Sequence, residues 1–283
     1  MSESRRALPP LLVAVAVLLT VLVGCSSDSE PDPDPTSSAP STPTQTPTPP
    51  PRATAAPSPE AGACHQITYR QAVAPTSSPK TVPCRDAHTA ETISVGRLDN
   101  LVDGHLLAVD SAQVQDQVAA ACPDALGSFV GGTAEDRRLS MLRAVWFTPS
   151  LEEAAAGAAW YRCDVVALAG RDRLATVKGS LEGVLGTESG RDQYGMCGTA
   201  SPKAKGFARV PCGAQHSWRA FDVIELPEGK YPGAGAISTA GNQCEDAATA
   251  VADDPLDFEW ASEGPDRAQW DAGQNYLLCW TAV

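Results

Sequence analysis

Val82-Pro83-Cys84-Arg85-Asp86-Ala87-His88 returns later in the chain as Val210-Pro211-Cys212-Gly213-Ala214-Gln215-His216. Both stretches read V-P-C-x-x-x-H. The match extends outward: Pro149, Gly157, Trp160 and Cys163 have the spacing of Pro265, Gly273, Tyr276 and Cys279, and Trp146 and Trp260 lie shortly before each proline. Self-similarity of this kind marks a duplicated unit. The expected organisation is a tandem repeat, residues 62–170 and 191–283, with residues 171–190 connecting them. Each repeat is expected to be a small α+β unit of about three strands and one main helix.

The cysteines follow the same division. Of nine, Cys25 stands alone near the N-terminus, and the other eight fall into two sets of four. An even number reads as disulfides in an exported chain. No C-x-x-C spacing occurs, so zinc-ribbon and thioredoxin-type readings lack their pattern. Four cysteines allow three connectivities. The sequential one is Cys64–Cys84, Cys122–Cys163, Cys197–Cys212 and Cys244–Cys279. It is favoured because V-P-C ends a compact loop, and the third cysteine of each set falls on a helix facing the last strand.

Strand-like runs follow each V-P-C-x-x-x-H, at residues 91–98 and 219–226. Val114, Val118 and Cys122 recur at helical spacing behind a candidate N-cap at Asp110 or Ser111. Pro123 is expected to kink or end that helix. In the second repeat Cys244, Ala248 and Val251 share a helical face, with Ser238 as N-cap. Strands are expected at 140–147 and 160–168, with counterparts at 257–261 and 274–282. Pro149 and Pro265 are each expected to open a short helical turn, and residues 173–184 to contribute a strand in the connection.

The N-terminal sixty residues have another character. Arg5 and Arg6 precede a 13-residue apolar run at residues 11–23. That is short for a membrane span but suits a signal peptide. The run ends in Leu22-Val23-Gly24-Cys25, which resembles the lipobox of bacterial lipoproteins. By that resemblance residues 1–24 are a removed leader, and Cys25 carries the lipid (palmitate among its acyl chains) that anchors the chain to the membrane. Residues 26–61 contain 11 Pro, 7 Ser and 6 Thr, too little apolar surface to offset ordering entropy. With Cys25 they form a disordered tether, residues 25–61. The chain carries a net charge of −13, of which residues 62–283 hold −10. This argues against nucleic acid as a partner, because such binding needs a basic face.

The pattern V-P-C-x-x-x-H-x-x-E, a distant cysteine, then P-x₇-G-x₅-C resembles the septum-formation domain family, extracytoplasmic domains of actinobacterial envelope proteins. Family copies commonly place Pro before the histidine and an acid after it. Ala87 precedes His88 here and Glu91 matches the acid, whereas Gln215 precedes His216 and Arg219 replaces the acid. The resemblance implies a role at the cell envelope in septation or wall growth, and it implies no catalytic activity.

His88 and Glu91 are the first candidate interaction residues, since a carboxylate can orient an imidazole for acid/base work. The competing structural reading has His88 closing the turn after Cys84 through backbone hydrogen bonds, with Glu91 exposed on its strand. His216 and a surface Trp218 beside it form the second candidate pair, suited to a peptide or glycan contact. No metal site and no cofactor are expected. Ser77-Ser78-Pro79-Lys80 fits S-x-x-K but lacks the helix start and companion motifs of that chemistry. The acids around Trp260 fit no calcium loop.

These observations lead to a lipid-anchored extracytoplasmic module that binds or scaffolds rather than catalyses. Its expected partners are the membrane, through its anchor, and division or envelope proteins or wall polymer. The groove between the repeats is the expected interaction surface. The alternative is a cell-wall-acting enzyme using His88 and Glu91.

Overall fold

The computed structural model describes residues 54–283. The expected leader, the expected lipidation site Cys25 and the expected tether as far as residue 53 lie outside the described residues. The first repeat contains β1 (Cys64–His65), α1 (Tyr69–Ala72), β2 (Thr81–Val82), β3 (Ala90–Arg97), a small hairpin of β4 (Leu101–Val102) and β5 (His105–Leu106), α2 (Ala112–Val130), α3 (Ala134–Arg138), β6 (Leu142–Phe147), α4 (Leu151–Ala155) and β7 (Trp160–Gly170). Then come β8 (Arg173–Leu174) and α5 (Glu188–Tyr194) in the connection. The second repeat contains β9 (Met196–Gly198), β10 (Arg209–Pro211), β11 (Trp218–Glu225), α6 (Ala234–Ala240), α7 (Gln243–Val251), β12 (Trp260–Glu263), α8 (Arg267–Asp271) and β13 (Tyr276–Ala282).

The duplication is visible in the strand order. The first sheet runs β2-β1-β3-β7-β6, with β8 added to β7, and the second runs β10-β9-β11-β13-β12. Every pairing is antiparallel, and both central pairs carry a register shift at the same place, between Thr92 and Ser94 and between Ala220 and Asp222. Three long strands per repeat are joined by two short ones that carry or adjoin the first two cysteines. Disulfides link Cys64–Cys84, Cys122–Cys163, Cys197–Cys212 and Cys244–Cys279. In each repeat one bridge closes the short hairpin and the other ties the main helix to the central strand.

Helix α2 is held by its buried stripe, Val114, Val118, Cys122 and Val130, all fully covered. Full burial of an aliphatic side chain contributes about 1.5–3 kcal/mol. That explains why the helix passes through Pro123 rather than ending there. An interior proline costs about 3 kcal/mol, and Val130, a full two turns beyond it, offsets that cost. The second repeat differs from expectation. Ser238 lies inside α6 rather than capping a helix, and the segment is split into α6 and α7 at Gly241 and Asn242. A Cβ on Gly241 would meet Ser262 Oγ at 2.4 Å, so this junction presses directly onto β12. Cys244 and Ala248 are buried, but Val251 is exposed because α7 ends there.

Pro149 and Pro265 each precede the N-cap rather than opening a helix. Ser150 and Asp266 cap α4 and α8, with Glu153 and Gln269 closing capping boxes. Trp146 and Trp260 are not equivalent either. Trp146 pairs with Cys163, whereas Ser262 is the residue that pairs with Cys279, so Trp260 stands two positions earlier on its strand.

Each sheet has two faces. In the first repeat, Cys163, Val165 and Ala167 face α2 and the connection, where they meet Leu142, Val177, Leu181 and Leu185. Alternation along β7 puts Trp160, Arg162, Asp164, Val166 and Leu168 on the far face. The matching face of the second sheet, with Trp218, Ala220, Leu278 and Trp280, packs on Met141 of the first repeat. Backbone hydrogen bonds from Met141 to Tyr194 (2.7 Å) and from Met196 to Leu139 (2.6 Å) fasten the repeats together. Among the described residues no helix is long and apolar enough to cross a membrane.

Candidate functional site

His88 is almost wholly buried. Its Nδ1–H donates to the Asp86 carbonyl at 2.9 Å, and its backbone exchanges hydrogen bonds with Val177. His216 makes the same ring contact, with Ala214 at 2.7 Å. The x-x-x-H of the repeated motif is therefore a turn closed by the ring on the carbonyl two residues back. Glu91 is buried, not exposed as the structural reading had it. Its Oε1 accepts from the Ser180 hydroxyl (2.7 Å) and its Oε2 from the Leu181 amide (2.9 Å). No hydrogen bond joins His88 to Glu91. Both are fastened to the connecting segment instead.

Trp218 is not a surface contact. It is 8% exposed and sits in the second sheet's core with Trp280 and Met196, because β11 turns this position toward the packed face. Cys64, Cys84 and Glu91 bring sulfur and carboxylate atoms close together. The two sulfurs are bonded to each other and offer no thiolate to a metal.

Sequence reading missed a buried polar cluster on the far face of the first sheet. His65 Nε2 lies 3.1 Å from Thr92 Oγ1, Thr92 donates to Asp164 Oδ1 at 2.8 Å, and Arg162 Nε lies 3.0 Å from the same oxygen. His65, Arg162 and Asp164 are 4%, 3% and 0% exposed. The Arg162 guanidinium stacks 4.5 Å from the centroid of the Phe147 ring. Burial, reinforced by the Arg162 charge, lowers the His65 pKa to about 4. Burial raises the pKa of Asp164, even though Arg162 and Thr92 favour its charged form. A cavity of about 440 Å³ adjoins the cluster, walled by residues 56–60, the loop at residues 77–79, Trp160, Arg162 and His65. The signal was in the repeat itself: Arg162 and Asp164 flank Cys163, where the second copy has Leu278 and Trp280 around Cys279.

A second cleft, of about 430 Å³, lies between the repeats. Arg143, Arg171 and Tyr69 line it from the first repeat and its connection, and Phe207, Arg209 and Glu263 from the second. Arg209 pairs with Glu263. Arg143 donates only to the Ser140 and Leu142 carbonyls. Among the described residues neither Arg143 nor Arg171 has a carboxylate within ion-pair distance. Burial draws Arg143 below the usual guanidinium range, and the Arg209 charge adds to this. Asp172 also lines the cleft, so three guanidiniums stand against two carboxylates and the cleft carries a small excess of positive charge on an acidic protein.

Fold and sites define a duplicated, disulfide-bonded α+β domain with ligand-sized clefts. The family model described as septum formation matches twice, over residues 36–153 and 142–241. Together the matches cover well over half of the chain, which belongs to the septum-formation family. Searches of curated proteins and of solved structures return no match.

Proposed function

We propose that this protein is a lipid-anchored, extracytoplasmic binding module that acts in septum formation without catalysing a reaction. The carrying observation is the cleft between the repeats, where Arg143, Arg171 and Arg209 outnumber the carboxylates of Asp172 and Glu263, and Tyr69 and Phe207 supply apolar walls. Such a cleft suits an anionic group on an envelope partner, since an unpaired guanidinium in a partly dry site gains most from a carboxylate or phosphate. The engagement of Glu91 by Ser180 and Leu181 supports a structural use of the motif rather than an acid/base pair. Lipidation at Cys25 would hold the cleft at the membrane through a tether that reaches up to roughly 110 Å when extended.

A charge reversal tests the reading. In growing cells a full-length fluorescent fusion should gather at division sites, and Arg171→Glu should disperse it while leaving the melting temperature unchanged. Arg171 is exposed, so the substitution spares the core. Equal septal enrichment of both proteins would contradict the assignment of the cleft.

A further inference from the structure

We propose that the tether docks on its own domain, where residues 42–48 add an extended strand to the open edge of β6. The docking depends neither on the inter-repeat cleft nor on lipidation of Cys25.

β6 is the last strand of the first sheet, so one of its edges has no strand beside it. Register identifies the groups on that edge. The Met141 carbonyl accepts from the Leu168 N–H at 2.9 Å, on the same register that pairs Leu142 with Ala167. Bonding alternates along an antiparallel pair. Arg143, Val145 and Phe147 therefore bond to β7, while Ala144 and Trp146 turn their N–H and C=O outward. Thr148 has the same parity, and its N–H donates away from β7 to the Pro75 carbonyl at 3.2 Å. Pro75 thus caps the edge at Thr148. Among the described residues, the Ala144 and Trp146 main chains have no partner on the outer side. They border a cavity of about 370 Å³ whose walls include Val73, Pro75, Gln115, Val145 and Trp146, with no charged residue. Free main-chain donors and acceptors beside uncharged, largely apolar walls specify an extended, uncharged peptide.

The tether contains such a peptide. Residues 35–51 carry no charge. Within them Thr42-Pro43-Thr44-Gln45-Thr46-Pro47-Thr48-Pro49 places threonine at every even position and proline only at odd ones. A strand paired on one side uses the main-chain groups of alternate residues. With the threonines bonded to β6, every N–H the pairing needs is present, and the missing proline N–H groups fall on the solvent side. Proline is tolerated on an edge strand in that position, and there it stops a further strand from adding. Threonine also favours extended backbone.

The chain enters the fold close enough for this. Ala55 lies against Gly157, in the turn from α4 to β7, with its Cβ 3.6 Å from where a Gly157 Cβ would stand. At about 3.3 Å per residue along the β6–β7 pair, Gly157 is about 20 Å from Trp146. The nine residues from Thr46 to Ala55 span up to about 30 Å. Docking leaves residues 25–41 free and shortens the tether's reach from roughly 110 Å to about 50 Å.

The test is amide hydrogen exchange of the full-length chain in detergent, read by NMR at the Ala144 and Trp146 N–H groups. A short linker holds the segment at a millimolar effective concentration. A pairing with a Kd of about 0.1–1 mM then slows exchange about two- to tenfold. Thr44→Pro with Thr46→Pro removes N–H groups that face β6 and should abolish the protection. Gln45→Pro places a proline on the solvent side and should keep it. The substituted positions precede the folded repeats, and unchanged amide shifts elsewhere check the fold. Equal exchange in the parent and the double variant overturns the proposal, as does loss of protection in Gln45→Pro. Protection that grows with protein concentration also overturns it and makes a second copy the occupant.

Discussion

Glu91 and Arg219 occupy the same register position in the two sheets, each directly opposite the first cysteine of its repeat, Cys64 and Cys197. Their charges are opposite, yet both reach into the segment that joins the repeats. Glu91 holds Ser180 and Leu181, and Arg219 pairs with Asp192 at 3.0 Å. The duplicated position has kept its task, fastening the connection to a sheet, while changing its chemistry.

The two fastenings differ in strength because they differ in burial. Glu91→Ala leaves the buried Leu181 amide without an acceptor and should cost about 1–3 kcal/mol. Glu91→Gln should recover part of that loss. Arg219→Ala removes a half-exposed ion pair and should cost less than about 1 kcal/mol. Denaturant unfolding of the three variants checks the order.

The buried pair Arg162–Asp164 makes a second contrast. Arg162→Leu alone strands a buried carboxylate and should cost about 3–5 kcal/mol. Adding His65→Gly, Thr92→Ala and Asp164→Trp imports the second repeat's solution, in which Gly198 leaves room for Trp280, and should restore most of the loss. A quadruple variant no more stable than the single one would show that the two copies are not interchangeable here.

Acid should act through His65. Its folded pKa of about 4 lies below the ordinary 6.5, so the unfolded chain takes up the proton first. His65 therefore favours folding fully above pH 6.5, and that advantage drains away as pH falls toward 4, by up to about 3 kcal/mol. Asp164, with its pKa raised, works in the opposite sense as it protonates in the folded state. Melting at pH 7 and pH 4.5 should show a smaller drop for His65→Asn than for the parent.

The disulfides should rank by loop length. Cys122–Cys163 spans 41 residues and Cys197–Cys212 spans 15. In the chain-entropy model the first contributes about 4 kcal/mol and the second about 3. Paired Cys→Ala variants, compared by denaturant unfolding, check the ranking.

Duplication made the long strands and main helices legible, because two noisy readings of one pattern reinforce each other. Where the copies diverge, sequence reading failed. The split at Gly241 depends on close approach to Ser262, a tertiary contact that no local pattern records. Trp218 looked like a surface residue beside His216, yet strand alternation turns it inward. The polar cluster escaped because Arg162 and Asp164 read as ordinary strand charges. Only their absence from the apolar second copy, seen once register is fixed, marks them as unusual. The inter-repeat cleft joins residues far apart in sequence and became visible only when the repeats packed.

The central claim is that a tethered binding module works at the septum, and localisation tests it most directly. A full-length fluorescent fusion should concentrate at division sites in growing cells, and Cys25→Ala should lose or redistribute that signal. An even envelope signal from the parent fusion, unchanged by Cys25→Ala, would contradict both the tether and the septal role.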